Sequence, residues 1–275
     1  MLTTVFHNES ANRAATGLCA GFELGKWRYE QLAKAMLKNL PEFCLSYSEC
    51  RSIDHTSAVE MVGKAANLVY KTDKFKKRGE FGELLLHWLL RENVKSMPAV
   101  SKIYYKDGPN DTVKGFDAVH VVPTATGLEL WLGEVKFYSS ASRAISDVVK
   151  EIVEHLDHNY LRSEFIAIIN KIDNQWPHAS KLKLLLHEDT SLDEVFESFC
   201  IPVLITYDSN AVASHQAATS TYKAAIKDEV SKLAFKFTAK ALPIDHKIHV
   251  FFVPMNTKKD LISSLNTKLK AWQEI

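Results

Sequence analysis

Cysteine is scarce in this 275-residue sequence: Cys19, Cys44, Cys50 and Cys200 are the only four, with no CxxC pair and no histidine at zinc-ligand spacing. That pattern argues against a disulfide framework and a structural zinc site, and the thiols read as buried or idle groups in a reducing compartment. No apolar run approaches the roughly 20 residues needed to span a bilayer. The N-terminus lacks the basic start and continuous apolar stretch of a secretory signal. The expectation is a cytoplasmic protein with no membrane partner. Repeats at solenoid periods and low-complexity linkers are missing. So are a Walker sequence, a GxGxxG after a strand and a GxSxG elbow, which removes the usual signatures of nucleotide binding and serine hydrolysis. Excess charge is missing too. A formal net charge of +1 excludes binding to nucleic acid by bulk attraction, so any such site must be a local patch.

What is present is an ordinary globular composition, 46% hydrophobic and 24% charged, enough to bury a sizeable core. Residues 1–75 read as a helical N-terminal region. Helical spacing runs through 26–40, with Trp27, Leu32, Ala35, Met36 and Leu40 before Pro41, and again through 56–70. These apolar faces need burial on the rest of the chain or on a partner. Residues 76–275 follow as an α/β unit. The pattern predicts a helix over 79–92, strands over 99–106, 115–122 and 128–137, and an amphipathic helix over 142–160. Short apolar strands at 201–207 and 248–253 flank a helical stretch near 215–236, and a helix closes the sequence over 258–273.

The third strand reads Leu130-Trp131-Leu132-Gly133-Glu134-Val135-Lys136-Phe137, and period-two alternation sets Glu134 and Lys136 on one face. A carboxylate and an ammonium in so apolar a strand need a reason, because burying unpaired charge is costly. A simple ion pair near a sheet end is one. The preceding strand supplies another by carrying Asp117, sixteen residues intervening before Glu134. A hairpin of that length brings both carboxylates to one end of adjacent strands, a donor set of hard oxygens that suits Mg²⁺, with Mn²⁺ as a substitute. Lys136 would then orient a water or meet negative charge on a phosphorane. On the helix over 79–92, Glu80, Glu83, His87 and Arg91 share one polar window, which is either a solvent stripe or the source of a further site carboxylate. Lys71, Lys74, Lys76, Lys77 and Arg78 lie within eight residues, as solvated surface or as phosphate contacts. His155 and His158, with no third ligand in view, read as surface or hydrogen-bonded groups.

Gly79-Glu80-Phe81-Gly82-Glu83, Gly115-Phe116-Asp117 and Gly133-Glu134-Val135-Lys136, in this order, resemble the PD-(D/E)XK nuclease superfamily, and more narrowly the HamA nuclease subunits of Hachiman antiphage systems. The resemblance implies a restriction-endonuclease-like αβββαβ core over about 78–207. It implies Asp117 and Glu134 as metal ligands with Lys136 as catalytic lysine, and Glu83 or Glu80 as the helix carboxylate, Glu83 the better candidate for the metal. It also implies DNA as substrate, Mg²⁺ as cofactor and a HamB-like helicase as partner. Phe116 stands where the signature has proline. The competing expectation is a non-catalytic DNA-binding or assembly subunit that keeps the fold.

Overall fold

A computed structural model describes residues 1–69, 79–101, 103, 115–125, 127–240, 242 and 246–275. The strands are β1 (Thr3–Glu9), β2 (Arg13–Cys19), β3 (Phe22–Glu23), β4 (Lys26–Trp27), β5 (Met97–Ser101), β6 (Ala118–Pro123), β7 (Leu128–Phe137), β8 (Phe199–Asp208) and β9 (Lys247–Met255). The α-helices are α1 (Tyr29–Leu37), α2 (Leu40–Cys44), α3 (Tyr47–Arg51), α4 (Ala58–Leu68), α5 (Glu80–Leu89, continued by a π-helical turn over Leu90–Val94), α6 (Ala141–His155), α7 (His158–Lys171), α8 (Ala179–Leu185), α9 (Leu192–Phe196), α10 (Asn210–Ala213), α11 (Ser220–Thr238) and α12 (Lys258–Gln273). None of the described helices is long and apolar enough to cross a membrane.

Seven strands form one mixed sheet in the order β1-β2-β9-β8-β7-β6-β5, and β3 and β4 make a separate small hairpin. The pairings β2–β9, β9–β8 and β8–β7 are parallel, while β1–β2, β7–β6 and β6–β5 are antiparallel. Strands β8 and β9 are continuous apolar runs because both sheet faces are covered. Helices α6 and α11 touch each other on one face. On the other, α5 touches α1 and α2, and α12 packs on α1 and α4. The segment from α5 through β5, β6, β7 and α6 to β8 has the αβββαβ order read from the sequence.

The N-terminal segment departs from the helical expectation for 1–75. Helices α1 to α4 lie within residues 29–68, but residues 3–19 form the β1–β2 hairpin, which joins the main sheet through β9. The reason is position. β1 is an edge strand whose residues are exposed or half-buried throughout, so it carries none of the apolar alternation that marks a half-buried strand. Pro41 does not end a single helix over 26–40 either. α1 stops at Leu37, and Pro41 sits in the first turn of α2, where a missing N–H leaves no bond unmade. The expected helix over 142–160 is two, because Asp157 caps α7 by accepting from the N–H groups of Asn159 (3.0 Å) and Tyr160 (3.2 Å).

A buried polar chain ties α5 to the sheet and to α2. Ser96 Oγ bonds His120 Nδ1 at 2.8 Å, His120 Nε2 meets His87 Nδ1 at 3.2 Å, and His87 Nε2 lies 3.2 Å from Glu42, which Arg91 also binds at 2.8 Å. Burial, then the neighbouring His87 and Arg91, hold His120 well below its ordinary value of 6.5. The unfolded chain therefore takes up this proton more readily than the folded one, and stability should fall as pH drops below about 6.5. Urea midpoints at neutral and mildly acidic pH should show that loss, and His120→Asn should shrink it whatever the variant's stability at neutral pH. An unchanged pH dependence in a folded variant would remove His120 as its source.

Candidate active site

The contact between α5 and β7 fixes which way the strand presents its charges. A Cβ on Gly82 would lie 2.6 Å from Val135 Cγ1, and one on Gly133 would lie 2.7 Å from Leu86 Cδ2, so helix and strand approach only because both positions are glycine. Gly133, Val135 and Phe137 thus face α5. Alternation turns Glu134 and Lys136 to the opposite face, under α6. Both are buried, Glu134 at 1% exposure and Lys136 at 8%.

Helix α6 meets both. His155 Nδ1 lies 2.5 Å from Glu134 Oε1, and Lys136 Nζ pairs with Glu151. With the carboxylate ionised, the imidazole nitrogen is the donor. His155 is itself held by aromatic contacts, stacked on Tyr160 at 4.4 Å between ring centroids and edge-on to Phe116 at 5.3 Å. The residue after Phe116 is Asp117. Its N–H donates to the Gly133 carbonyl at 2.8 Å and its Oδ2 accepts the Val135 N–H at 2.8 Å, so Asp117 brackets Glu134 from its place just before β6.

Asp117, Lys136 and Glu151 border a cleft of about 570 Å³ that Glu83, Arg143 and Lys258 also line. It opens where β7, β8 and β9 end, the side of a parallel sheet on which ligands commonly bind. Glu83 lines it; Glu80, half-buried at the start of α5, does not. The polar window read on that helix is therefore divided, with Glu83 on the cleft and His87 and Arg91 on the buried chain to Glu42. Glu134 stands behind the wall rather than on it. The basic run Lys71, Lys74, Lys76, Lys77 and Arg78 lies outside the described residues.

Sequence reasoning missed Glu151, Arg143 and Lys258, and it left His155 without a function. A signal existed for two of them. Glu151 and His155 stand four residues apart, beside the buried stripe of Ile145, Val148 and Ile152 that α6 packs on the sheet. Titratable groups bordering such a stripe need buried partners.

The donor chemistry fits a hard divalent cation. Asp117 and Glu134 supply adjacent carboxylates, and Mg²⁺ is characteristically held by one or two carboxylates while water and substrate phosphate complete its shell. Among the described residues no group of three or more His, Cys, Asp and Glu side chains is arranged around one point. A two-carboxylate site needs none.

The sequence resembles "Anti-bacteriophage protein A" of Escherichia coli (strain K12), 25% identical over 283 residues, an alignment that takes in 94% of this chain and 48% of that protein. The chain thus spans about half the length of that relative. A profile of the HamA family matches residues 1–269, and with so complete a match the chain belongs to the HamA family.

Proposed function

We propose that this protein is a Mg²⁺-dependent DNA nuclease that serves bacterial antiphage defence under the control of a helicase partner. The observation that carries the catalytic part is that Asp117, just before β6, accepts from the Val135 N–H between Glu134 and Lys136, beside a cleft that Asp117 and Lys136 line. Family membership and a relative named for action against bacteriophage support the defence role. The helicase rests on the HamA resemblance alone.

In this reading Asp117 and Glu134 would hold the metal, with Glu83 on the same cleft as a further candidate ligand. A metal bound there would supply charge neutralisation at the scissile phosphate and a more acidic water. Lys136 donates to the phosphate oxygen on which negative charge builds. Water oxygen bonds to phosphorus, the bond from phosphorus to one sugar oxygen breaks, and that oxygen leaves with a proton. Glu151 aims the Lys136 ammonium. His155 holds one oxygen of Glu134 and so orients the carboxylate, as outer partners of metal ligands do.

Purified protein, alone and with the proposed helicase partner, should degrade DNA with Mg²⁺ or Mn²⁺ and not with EDTA. Glu134→Ala and Lys136→Ala should each abolish that activity in folded protein, and Glu83→Gln should impair it more than Glu80→Gln. Full activity in a folded Glu134→Ala, Lys136→Ala double variant would refute the assignment and favour the non-catalytic reading.

The α6 pair gives a separate check. Glu151→Ala should lower kcat by about 10- to 100-fold with KM little changed, and Glu151→Asp should recover part of the loss. His155→Ala removes this donor from a buried carboxylate and should cost about 3 kcal/mol in urea unfolding. Calorimetric Mn²⁺ titration of His155→Asn should show tighter binding than that of His155→Ala. If both variants match the original chain in stability and Mn²⁺ affinity, the contact positions nothing.

A further inference from the structure

Among the described residues, the cations on the cleft come from three distant parts of the sequence: Lys136 from β7, Arg143 from the first turn of α6 and Lys258 from the start of α12. Their surroundings differ. Lys136 is paired with Glu151. Arg143 is an open rim residue, its side chain 76% exposed, 3.6 Å from Asp147 and with its guanidinium 5.6 Å from the centre of the Tyr138 ring. Lys258 is half-buried. Its Nζ donates to the Phe137 carbonyl and lies 5.0 Å from the centre of that residue's ring. Its backbone N–H donates to Asp208 Oδ1 at 2.6 Å, which pins the start of α12 to the end of β8.

Among the described residues, no carboxylate reaches ion-pair distance of the Lys258 ammonium. Burial lowers its pKa from the ordinary lysine value, with Asp208 acting against that shift. A half-buried ammonium that spends one of its three donors on a neutral carbonyl has charge and hydrogen-bonding capacity left for an incoming anion. The carbonyl it holds belongs to Phe137, the neighbour of Lys136, so the two ammonium groups approach the cleft on either side of one residue. The hydroxyl-bearing Ser139 and Ser140 lie on the same wall.

We propose that Lys258 and Arg143 form a phosphate-binding subsite that grips the DNA backbone beside the phosphate held at Asp117, Glu134 and Lys136. This rests on the nuclease reading and adds to it a direction for the strand, from the strand-end site across the opening of α6 toward α12. Charge-assisted bonds from an ammonium and a guanidinium are the usual means of holding phosphate.

The test is binding of a labelled duplex by fluorescence anisotropy across a salt series in EDTA, where cleavage is blocked. Lys258→Gln keeps a donor for the Phe137 carbonyl and removes the charge, and Arg143→Ala removes the rim cation. Each should reduce the slope of log affinity against log salt by about 0.9, the loss of one phosphate contact, and the pair by about twice that. Lys258→Arg should bind as the original chain does. With Mg²⁺ added, both single variants should show raised KM and near-original kcat. Unchanged slopes and KM in folded variants of a chain that binds and cleaves DNA would overturn the subsite alone. A chain that neither binds nor cleaves DNA, with or without its helicase partner, would overturn the nuclease reading and the subsite with it.

Discussion

A carboxylate and an ammonium stand two residues apart on β7, buried under α6. Neither tolerates that position alone, since an unpaired buried charge costs several kcal/mol, on the order of 3–5 when one partner of a pair is deleted. Much of the surrounding architecture answers this demand. α6 brings Glu151 and His155 down at the spacing of one helical turn. His155 is wedged between Phe116 and Tyr160, which sets the approach to Asp117 on one side and the start of α7 on the other. On the far side of β7, Gly82 and Gly133 let α5 close in until Glu83 reaches the cleft.

How much of this was legible follows from how local each signal is. Glu134 and Lys136 could be read because a strand's alternation declares which residues share a face, and Asp117 because a lone acid in an apolar strand stands out. The order of α5, β5, β6, β7, α6 and β8 could be read for the same reason. The β1–β2 hairpin could not, because an exposed edge strand has no buried face to mark it and its pairing with β9 spans nearly the whole chain. The cations were hidden in a different way. A charge run draws the eye to 71–78, whereas Lys136, Arg143 and Lys258 are separated by long stretches of sequence and converge only in three dimensions.

On the proposed reading, that convergence would let a chain of net charge +1 meet a polyanion. Among the described residues of the cleft wall, Glu83, Asp117 and Glu151 stand against Lys136, Arg143 and Lys258, so a divalent cation bound there would tip the local balance toward positive. On the proposed nuclease reading, attraction to a phosphate backbone would then be strengthened by metal at the place where the chemistry occurs.

The parallel pairing of β2 with β9 has a further consequence, for the order in which the molecule is made. Residues 13–17 hydrogen-bond with residues 248–252, so the β1–β2 hairpin is synthesised long before its sheet partner exists and must wait with an unpaired edge until β9 emerges. Contacts of such sequence separation close slowly, and waiting strand edges invite wrong pairings. Lys258 follows β9 directly. The last cation of the cleft and the last seam of the sheet are therefore delivered together, and a ribosome-bound fragment ending before β9 has neither.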